Sequence, residues 1–599
     1  MHILGISCFY HDAAAAIVRD GMLIAAAEEE RFSRKKHDNG YPAHAVEFCL
    51  EQAGIGSEDL DYVVFYEKPL PKFERLFTSM AATWPRSLAA FREAMITWLT
   101  EKLWIKSKIR GQLEVPRDRI LFVEHHMSHA ASAFFCSPYD ESAILTVDGV
   151  GEWTTATLGV GKATWGGSGT NSIELFQEAR FPHSLGLFYS AFTAWLGFEV
   201  NDGEYKVMGM APYGHPEHLD KVRKVIELSQ DGSFWLNMDY FSFHHSMEHT
   251  FSRKFEELFG EPRERESDFF TRETGVPTDA SVSAVERNEY YADVAASVQA
   301  TTEQAIVNIA NYLHRRTGLK RLCMAGGVAY NSVANGRILR ETPFEELFIQ
   351  PAAGDSGGAV GAALYAYHAL LGQPRVFTME HAYWGQSYGA SEIHAALDER
   401  GIDYEYVEDE ERLVDVIAEE LAGGRVIGWH QGRFEWGPRA LGNRSIIADP
   451  RRAEMKDIVN TKIKFREPFR PFAPSILADY ADSYFDLRNG RQAWPKDPAK
   501  FMLVVLPVAE DKRAAIPAVT HAGGTGRLQT VTPQTNPRYY KLIERFGQAT
   551  GVPVILNTSF NLRGEPIVAS PQNALSTFYN SGIDTLVLGD FVVRKDPAD

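Results

Sequence analysis

The sequence predicts an α/β fold in two domains, on three observations. HILGIS, AAAAIV and MLIAAAEE run strand, turn, strand about Asp20-Gly21 at the start of the chain, a two-residue hairpin signal. The same plan returns near residue 144 in ILTVDGVGEW, TTATLGVG and GKATW, which suggests two related lobes with a ligand between them. Beyond residue 375, helical periodicity (ASEIHAALDERG, ERLVDVIAEELAGG) is interspersed with strand-like runs (RVIGWHQGR, FMLVVLPV, VPVILNTSF, TLVLGDFVV), so this part is α+β or α/β.

Taken in order, the first strands are followed by YPAHAVEFCLEQAGI, which has helical spacing and a closing glycine. WPRSLAAFREAMITWLTEKLWIKSKIRG (84–111) is rich in tryptophan and basic residues and reads as an amphipathic helix packed on the body. Residues 261–292 are charged and broken by Pro and Gly, a surface insertion, and a long helix is predicted from about Tyr291 to Arg316. KRLCMAGGVAYNSVANGRIL and ELFIQPAAGDSGGAVGAALYAY are each strand, glycine turn and helix. A Gly326-Gly327 turn ahead of a helix N-terminus can cradle phosphate with its backbone N–H groups, although a tight turn that merely needs glycine is an alternative. The pattern breaks at LLGQPRVFTMEHAYWGQSY, which sets the domains at 1–375 and 376–599.

With 599 residues the chain exceeds one ordinary core. A net charge of −18 argues against a surface built to grip nucleic acid. Four scattered cysteines without a CxxC pair suggest a reducing, cytoplasmic setting. The N-terminus lacks a basic n-region and does not resemble a signal peptide. The longest apolar run, residues 357–372, falls short of the ~20 residues of a membrane span. The expected partners are therefore small molecules, with no nucleic acid and no membrane; homo-oligomerisation is left open.

Two stretches carry candidate chemistry. In EHHMSHAASAFF, His125 and His129 lie one helical turn apart while His126 points about 100° away. Such a pair can share a metal, or can be a buried pair bonded to backbone. Residues 429–472 hold ten Lys/Arg against five Asp/Glu. Arg433, Arg439, Arg444, Arg466 and Arg470, with Lys462 and Lys464, sit there among glycines, prolines and aromatics. Arginines placed in such turns suit phosphate or carboxylate, the alternative being a basic surface loop. Arg527 in HAGGTGRLQTV, and Asn557, Thr558, Ser559 and Asn561 at a strand end, could complete an anion site.

HxxxH at 125–129, VDGVGEW, GEYKVMGMAPYG, AGGVAYN, GDSGGAVGAA, GPRALGNRS, FREPFRPFAPS and LNTSFNLRGEP together resemble the O-carbamoyltransferases of nodulation-factor and antibiotic biosynthesis, in order over nearly the whole chain. The resemblance implies an N-terminal domain like actin and the sugar kinases and a C-terminal YrdC-like domain. It implies a divalent metal, often iron, held by His125, His129, Asp148 and Asp355, with His126 a bystander. It implies that Arg439, Lys464, Arg470 and Ser559 hold carbamoyl phosphate, cleaved and coupled with ATP (taken with Mg) to carbamoyl adenylate, whose carbamoyl group passes to a small-molecule hydroxyl. Lys206, Gly209, Gly326, Gly327 and Asn331 would frame the nucleotide. His11 and Asp12 would face the acceptor, one serving as general base, unless they form an ordinary polar turn; Asp202 and Glu204 are further acceptor-side candidates. The competing readings are a threonylcarbamoyl enzyme acting on tRNA, a nucleotide-binding protein without chemistry, and a sugar kinase.

Overall fold

The structure is a computed structural model that describes residues 1–166, 170–467, 469–486 and 497–595; Pro468 of the FREPFRPFAPS motif lies outside them. Its residues form two compact units, Met1–Ile24 with Asn39–Thr378, and Ala25–Asp38 with Met379–Asp599. The sequence predicts one cut near 375 and does not foresee that the short segment 25–38 belongs with the C-terminal unit.

The first unit is built twice on one plan. Strands β1 (His2–Ser7), β2 (Ala14–Arg19), β3 (Met22–Glu28, assigned to the first unit only as far as Ile24), β4 (Tyr62–Phe65) and β5 (Ile120–Phe122) form a sheet in the order β3-β2-β1-β4-β5. Strands β6 (Glu141–Val147), β7 (Thr154–Lys162) and β8 (Ser172–Arg180) precede a small hairpin of β9 (Ile226–Leu228) and β10 (Phe234–Leu236). With β11 (Arg321–Ala325) and β12 (Glu346–Ile349), β6 to β8 form a second sheet in the order β12-β11-β6-β7-β8. Read from its first strand, each sheet has order 3-2-1-4-5. In each, the first strand pairs antiparallel with the second (Ile3↔Val18; Leu145↔Leu158) and parallel with the fourth (Gly5↔Val64; Leu145↔Met324). This doubling agrees with the actin and sugar-kinase-like plan that the resemblance implies.

Glycine makes the close packing between layers possible. A Cβ on Gly361, in the helix Gly357–Tyr365, would lie 1.9 Å from the Ser128 carbonyl of the helix His125–Phe134. One on Gly5 would lie equally close to the carbonyl of Ala359. The helix that follows Asp355 is thereby pressed against both the histidine helix and β1.

Several elements differ from the sequence expectation. GKATW is the end of the second strand and its sequel, and the third strand is Ser172–Arg180. The long helix starts at Val282, nine residues before Tyr291, because Ser281 caps it by accepting the Ala284 N–H. The 84–111 segment forms two helices, Leu88–Thr100 and Ile105–Leu113. Trp98, Met80, Ala90 and Ala94 make a small core of their own there, and Trp84 and Trp104 stay exposed.

The second unit carries a nine-stranded mixed sheet. Its strands are β13 (Glu405–Tyr406), β14 (Ile427–His430), β15 (Arg444–Ala448), β16 (Ala473–Leu477), β17 (Val504–Pro507), β18 (Thr525–Val531), β19 (Val554–Ser559), β20 (Thr585–Leu588) and β21 (Phe591–Arg594). The order is β13-β21-β20-β14-β15-β19-β16-β18-β17, consistent with the α/β unit expected. Leu413, Ile417 and Leu421 of one helix and Tyr539, Ile543 and Phe546 of another pack over Trp429, Ile447, Ile555 and Val587 of the sheet. TLVLGDFVV is a hairpin of two strands, turned at Gly589 with φ +58°. The sequence reading assigns no strand where β15, β16 and β18 lie, in or beside the arginine- and glycine-containing motifs.

Adding a methyl group in Gly361→Ala is expected to lower stability by about 1–3 kcal/mol through the clash with Ser128. Chemical denaturation checks this, and an unchanged midpoint would contradict the close approach.

Candidate functional site

The first unit's site sits where strand ends meet two helix starts. Asp148 follows the last residue of β6, Gly326 that of β11, and Asp355 lies between β12 and its helix. His125 and His129 come from one face of the histidine helix, both fully buried. One ligand atom from each of His125, His129, Asp148 and Asp355 falls within 4.8 Å of all the others. His125 Nε2 is 2.9 Å from Asp148 Oδ2 and 3.1 Å from His129 Nε2. Asp355 Oδ1 is 3.6 Å from both Nε2 atoms.

Four donors converging in a buried spot fit a divalent cation. Two Nε2 atoms facing each other cannot both carry hydrogen, and two adjacent carboxylates repel unless positive charge lies between them. Burial lowers the His129 pKa, but its bonds to Asp148 and Asp355 outweigh burial and raise it to about 9. A proton there does in part what a metal ion would do fully. Asp148 is opposed by burial yet held well below the usual carboxylate range by His125 and His129. The donor set of two imidazoles and two carboxylates suits a borderline divalent metal. The buried Nδ1 atoms of both histidines have no hydrogen-bond partner among the described residues, unlike the usual outer bond of a metal-bound histidine.

His126 belongs to the helix's support. Its Nε2 lies 2.9 Å from the Thr154 carbonyl, which can only accept, so Nε2 donates and Nδ1 accepts from the Thr146 hydroxyl at 2.6 Å. Burial lowers it to about 3, so it stays neutral. Glu152, a residue the sequence did not single out, accepts the His125 N–H at 3.0 Å and the Lys68 N–H at 2.8 Å. It thereby satisfies the first orphan donor of the histidine helix.

The other residues expected in this unit have mixed placements. Gly327 donates its N–H to Asp148 Oδ1 at 2.8 Å, so this turn orients an acidic ligand. Gly326 has φ +96°, and a Cβ there would meet the Val147 carbonyl at 2.2 Å. Asn331 caps the next helix and exchanges bonds with Gln299. Lys206 is buried and bonded to Glu266 at 3.1 Å, and Gly209 is buried on the same helix. His11 Nδ1 lies 2.8 Å from Asp12 Oδ2, both half-buried. Glu204 accepts from Ser190 Oγ and Asn201 N, bonds that serve local structure.

The second unit gathers its cations at one place. Lys464 is buried and bonds the Ser559 carbonyl and hydroxyl and both oxygens of Asn561. Burial, then the charges of Arg466 and Arg470, pushes Lys464 well below its ordinary value. Burial, then Arg439, Arg466 and Arg470, does the same to Arg527. Its Nε finds no hydrogen-bond partner among the described residues. Glu467 pairs with Arg470 at 3.4 Å. Lys464 and Arg527 thus each feel the charges of Arg466 and Arg470, and Arg527 that of Arg439 as well, an accumulation of positive charge that favours a bound anion.

Arg444 corrects the expectation of an anion contact. Arg444 is fully buried and spends its guanidinium on carbonyls, among them Gln431, Gly432 and Ala569. Arg433 bonds the Trp384 and Gly385 carbonyls at 2.7 Å. Both brace backbone. Asn557 donates to the Ala440 carbonyl and Gln529 and so holds the arginine loop. Glu435, unmarked by any sequence signal, accepts the N–H groups of Leu441, Asn443 and Arg444 on one oxygen.

Two family descriptions cover most of the chain, "Carbamoyltransferase N-terminus" over residues 2–364 and "Carbamoyltransferase C-terminus" over residues 418–595. The chain belongs to the carbamoyltransferase family. It is an enzyme of that type. This carbamoyltransferase is 46% identical to an uncharacterised protein of Synechocystis, over 99% of this chain and 97% of that one. It is 39% identical to the nodulation protein NolNO of Sinorhizobium fredii, over 98% and 80% of the two chains. A 3'-hydroxymethylcephem-O-carbamoyltransferase of Amycolatopsis lactamdurans is 33% identical over 45% of this chain and 48% of that one. Among solved structures, component A of the Acidaminococcus fermentans (R)-2-hydroxyglutaryl-CoA dehydratase has a TM-score of 0.29 at 16% identity, covering 61% of this chain and 97% of its own. Among the described residues of this carbamoyltransferase, no helix is long and apolar enough to cross a membrane.

Because His129 is raised from 6.5 to about 9, its charged form stabilises the metal-free fold fully below pH 6.5, and that contribution is lost as pH rises through 9. Metal entry at pH 7.5 is therefore expected to displace about one proton. Calorimetry in buffers of different ionisation enthalpy checks this, and heats independent of buffer would contradict it.

Proposed function

We propose that this carbamoyltransferase moves a carbamoyl group from carbamoyl phosphate, by way of an ATP-derived carbamoyl adenylate, to a hydroxyl of a small-molecule acceptor. The observation that carries the reading is the cluster of Arg439, Lys464, Arg466, Arg470 and Arg527, whose mutual repulsion a multiply charged phosphate relieves. One of its relatives is named for transfer to a hydroxymethylcephem, which supports a hydroxyl as the acceptor's reactive group. A net charge of −18 speaks against tRNA in that role.

In the second unit, Arg439, Arg470 and Arg527 bind the phosphate oxygens as the carbonyl–phosphate bond of carbamoyl phosphate is hydrolysed to carbamate and phosphate. Carbamate oxygen then attacks the α-phosphorus of ATP and pyrophosphate leaves. Lys464 holds the Ser559–Asn561 strand end at the edge of the cluster and adds positive charge near the leaving group. Enclosure protects carbamoyl adenylate, an anhydride that water would cleave.

In the first unit, His125, His129, Asp148 and Asp355 hold a divalent metal, iron being the reading implied by the family. When bound, it supplies Lewis-acid charge for phosphate or carbamoyl oxygens. Gly327 keeps Asp148 oriented, and Glu152 keeps the histidine helix in place. His11, bonded to Asp12, takes the acceptor's proton as the hydroxyl oxygen attacks the carbamoyl carbon and AMP departs. Lys206, Gly209 and Asn331 lie in motifs assigned to the nucleotide. The division at 375 into a transfer domain and an activating domain is part of the same proposal, with residues 25–38 moved to the second.

Pyrophosphate release from ATP is expected to require carbamoyl phosphate and no acceptor. Arg439→Ala is expected to lower it by about 100-fold or more, whereas His11→Ala is expected to spare it and abolish transfer. Release at the wild-type rate from Arg439→Ala would contradict the assignment of the anion site.

A further inference from the structure

Residues 25–38 lie outside the segment matched by the C-terminal family description, 418–595, yet they are part of the second unit. Their sequence, AAAEEERFSRKKHD, carries no motif that the function absorbs. In the fold, two of their charged side chains converge on one residue of the loop that carries Arg439, Gly437. Glu28 accepts the Gly437 N–H at 2.7 Å, and Arg31 donates to the Gly437 carbonyl at 2.8 Å. Both side chains are buried, and Arg31 also bonds Glu30 at 2.5 Å. Further along, Arg34 donates to the carbonyls of Ile567 and Pro566 at 2.6 and 2.8 Å.

Gly437 is two residues before Arg439. Its φ is +100°, a conformation that favours glycine and that the two flanking bonds hold in place. Beyond Arg439, Glu435 gathers the N–H groups of residues 441, 443 and 444, and Asn557 takes the Ala440 carbonyl. Only Pro438 and Arg439 lie between these fixed points, and proline has a restricted φ and no N–H to satisfy. A buried ion pair is poor evidence for stability in itself. Here the guanidinium of Arg31 lies 3.9 Å from Glu28 and bonds Glu30, and the charge of Glu435 acts on it as well; Glu28 and Glu435 are the two that hold loop N–H groups.

We propose that Glu28 and Arg31 are positioning residues for carbamoyl phosphate: they clamp the two peptide groups that flank the Gly437 Cα and so aim the Arg439 guanidinium into the cationic cluster. This rests on the reading of that cluster as the carbamoyl phosphate site. The N-terminal segment is then a working part of the activating unit, although it is encoded some four hundred residues from the loop it holds. Displacing a substrate-holding group by about 1 Å can cost 100-fold in rate, so an unclamped loop should be felt in substrate capture.

The test uses the full chain and the variants Arg31→Ala, Arg31→Lys, Glu28→Ala, Glu28→Gln, Arg439→Ala and the Arg31→Ala/Arg439→Ala pair, with thermal melting to confirm folding. Inorganic phosphate binding is read by calorimetry, and KM for carbamoyl phosphate is read in acceptor-free pyrophosphate release. Arg31→Ala and Glu28→Ala are expected to weaken phosphate binding and raise KM by about tenfold or more, with kcat falling less. Glu28→Gln keeps a carbonyl acceptor for the Gly437 N–H and is expected to recover most of the loss. In the Arg439→Ala background, Arg31→Ala is expected to add little, because the group it aims is gone. Should Arg31→Ala or Glu28→Ala fail to fold, Glu28→Gln and Arg31→Lys carry the test. Arg31→Lys gives up the planar fork and is expected to raise KM while Glu28→Gln does not. Wild-type phosphate binding in the Glu28 and Arg31 variants, with binding lost in Arg439→Ala, would overturn the clamp and leave the anion site standing. Wild-type binding in Arg439→Ala as well would overturn the anion site, and the clamp with it.

Discussion

Asp148 carries two contacts that the first unit's site depends on. One carboxylate oxygen meets His125 at 2.9 Å, and the other accepts the Gly327 N–H at 2.8 Å. The acid stands at the end of β6, so one side chain ties the histidine helix to the glycine turn after β11. That junction forms only because Gly326 lets its backbone pass within contact of Val147, where no side chain could fit. Glu152 closes the arrangement from the other side by holding the first N–H of the histidine helix. Orientation of the donors thus comes from backbone geometry and capping, while their charge is left for a cation.

The second unit has the opposite electrostatic problem. Its cluster concentrates positive charge, and desolvation makes every pair in it more repulsive than in water. Such a site persists only if the backbone around it is held firmly. The structure does this with side chains that bond the surrounding backbone. Arg444 and Arg433 brace carbonyls, Glu435 collects three N–H groups, and Asn557 holds Ala440. Basic residues of similar appearance therefore split into two kinds, those that meet charge and those that meet backbone.

This split explains much of what was legible in the sequence and what was not. The duplicated strand–turn–strand unit could be read because alternating apolar runs and an Asp-Gly turn are local signals, and the doubled 3-2-1-4-5 sheet follows from them. The pair His125 and His129 could be read because helical spacing alone puts both on one face. Strands β15, β16 and β18 could not, since their arginines, prolines and glycines mask strand periodicity while neighbouring strands supply the pairing. Arg444 looked like an anion ligand for the same reason: charge and a Gly-rich setting do not tell a carbonyl brace from a phosphate contact. The 84–111 segment kept its helical character but forms two helices, Leu88–Thr100 and Ile105–Leu113.

Local pattern, composition and motif order determined the α/β class, the doubled first unit, the metal-type donor set as a set of candidates, and the basic character of residues 429–472. Long-range packing decided which groups meet. It placed Asp355 within 3.6 Å of two histidines from a distant helix, gave Glu152 and Glu435 their capping tasks, and assigned residues 25–38 to the unit whose other residues begin at Met379. The physical reason is that a buried polar group must find its partner wherever the fold brings one, and partners separated by more than four hundred residues, as Glu28 and Gly437 are, leave no local trace in the order of the chain.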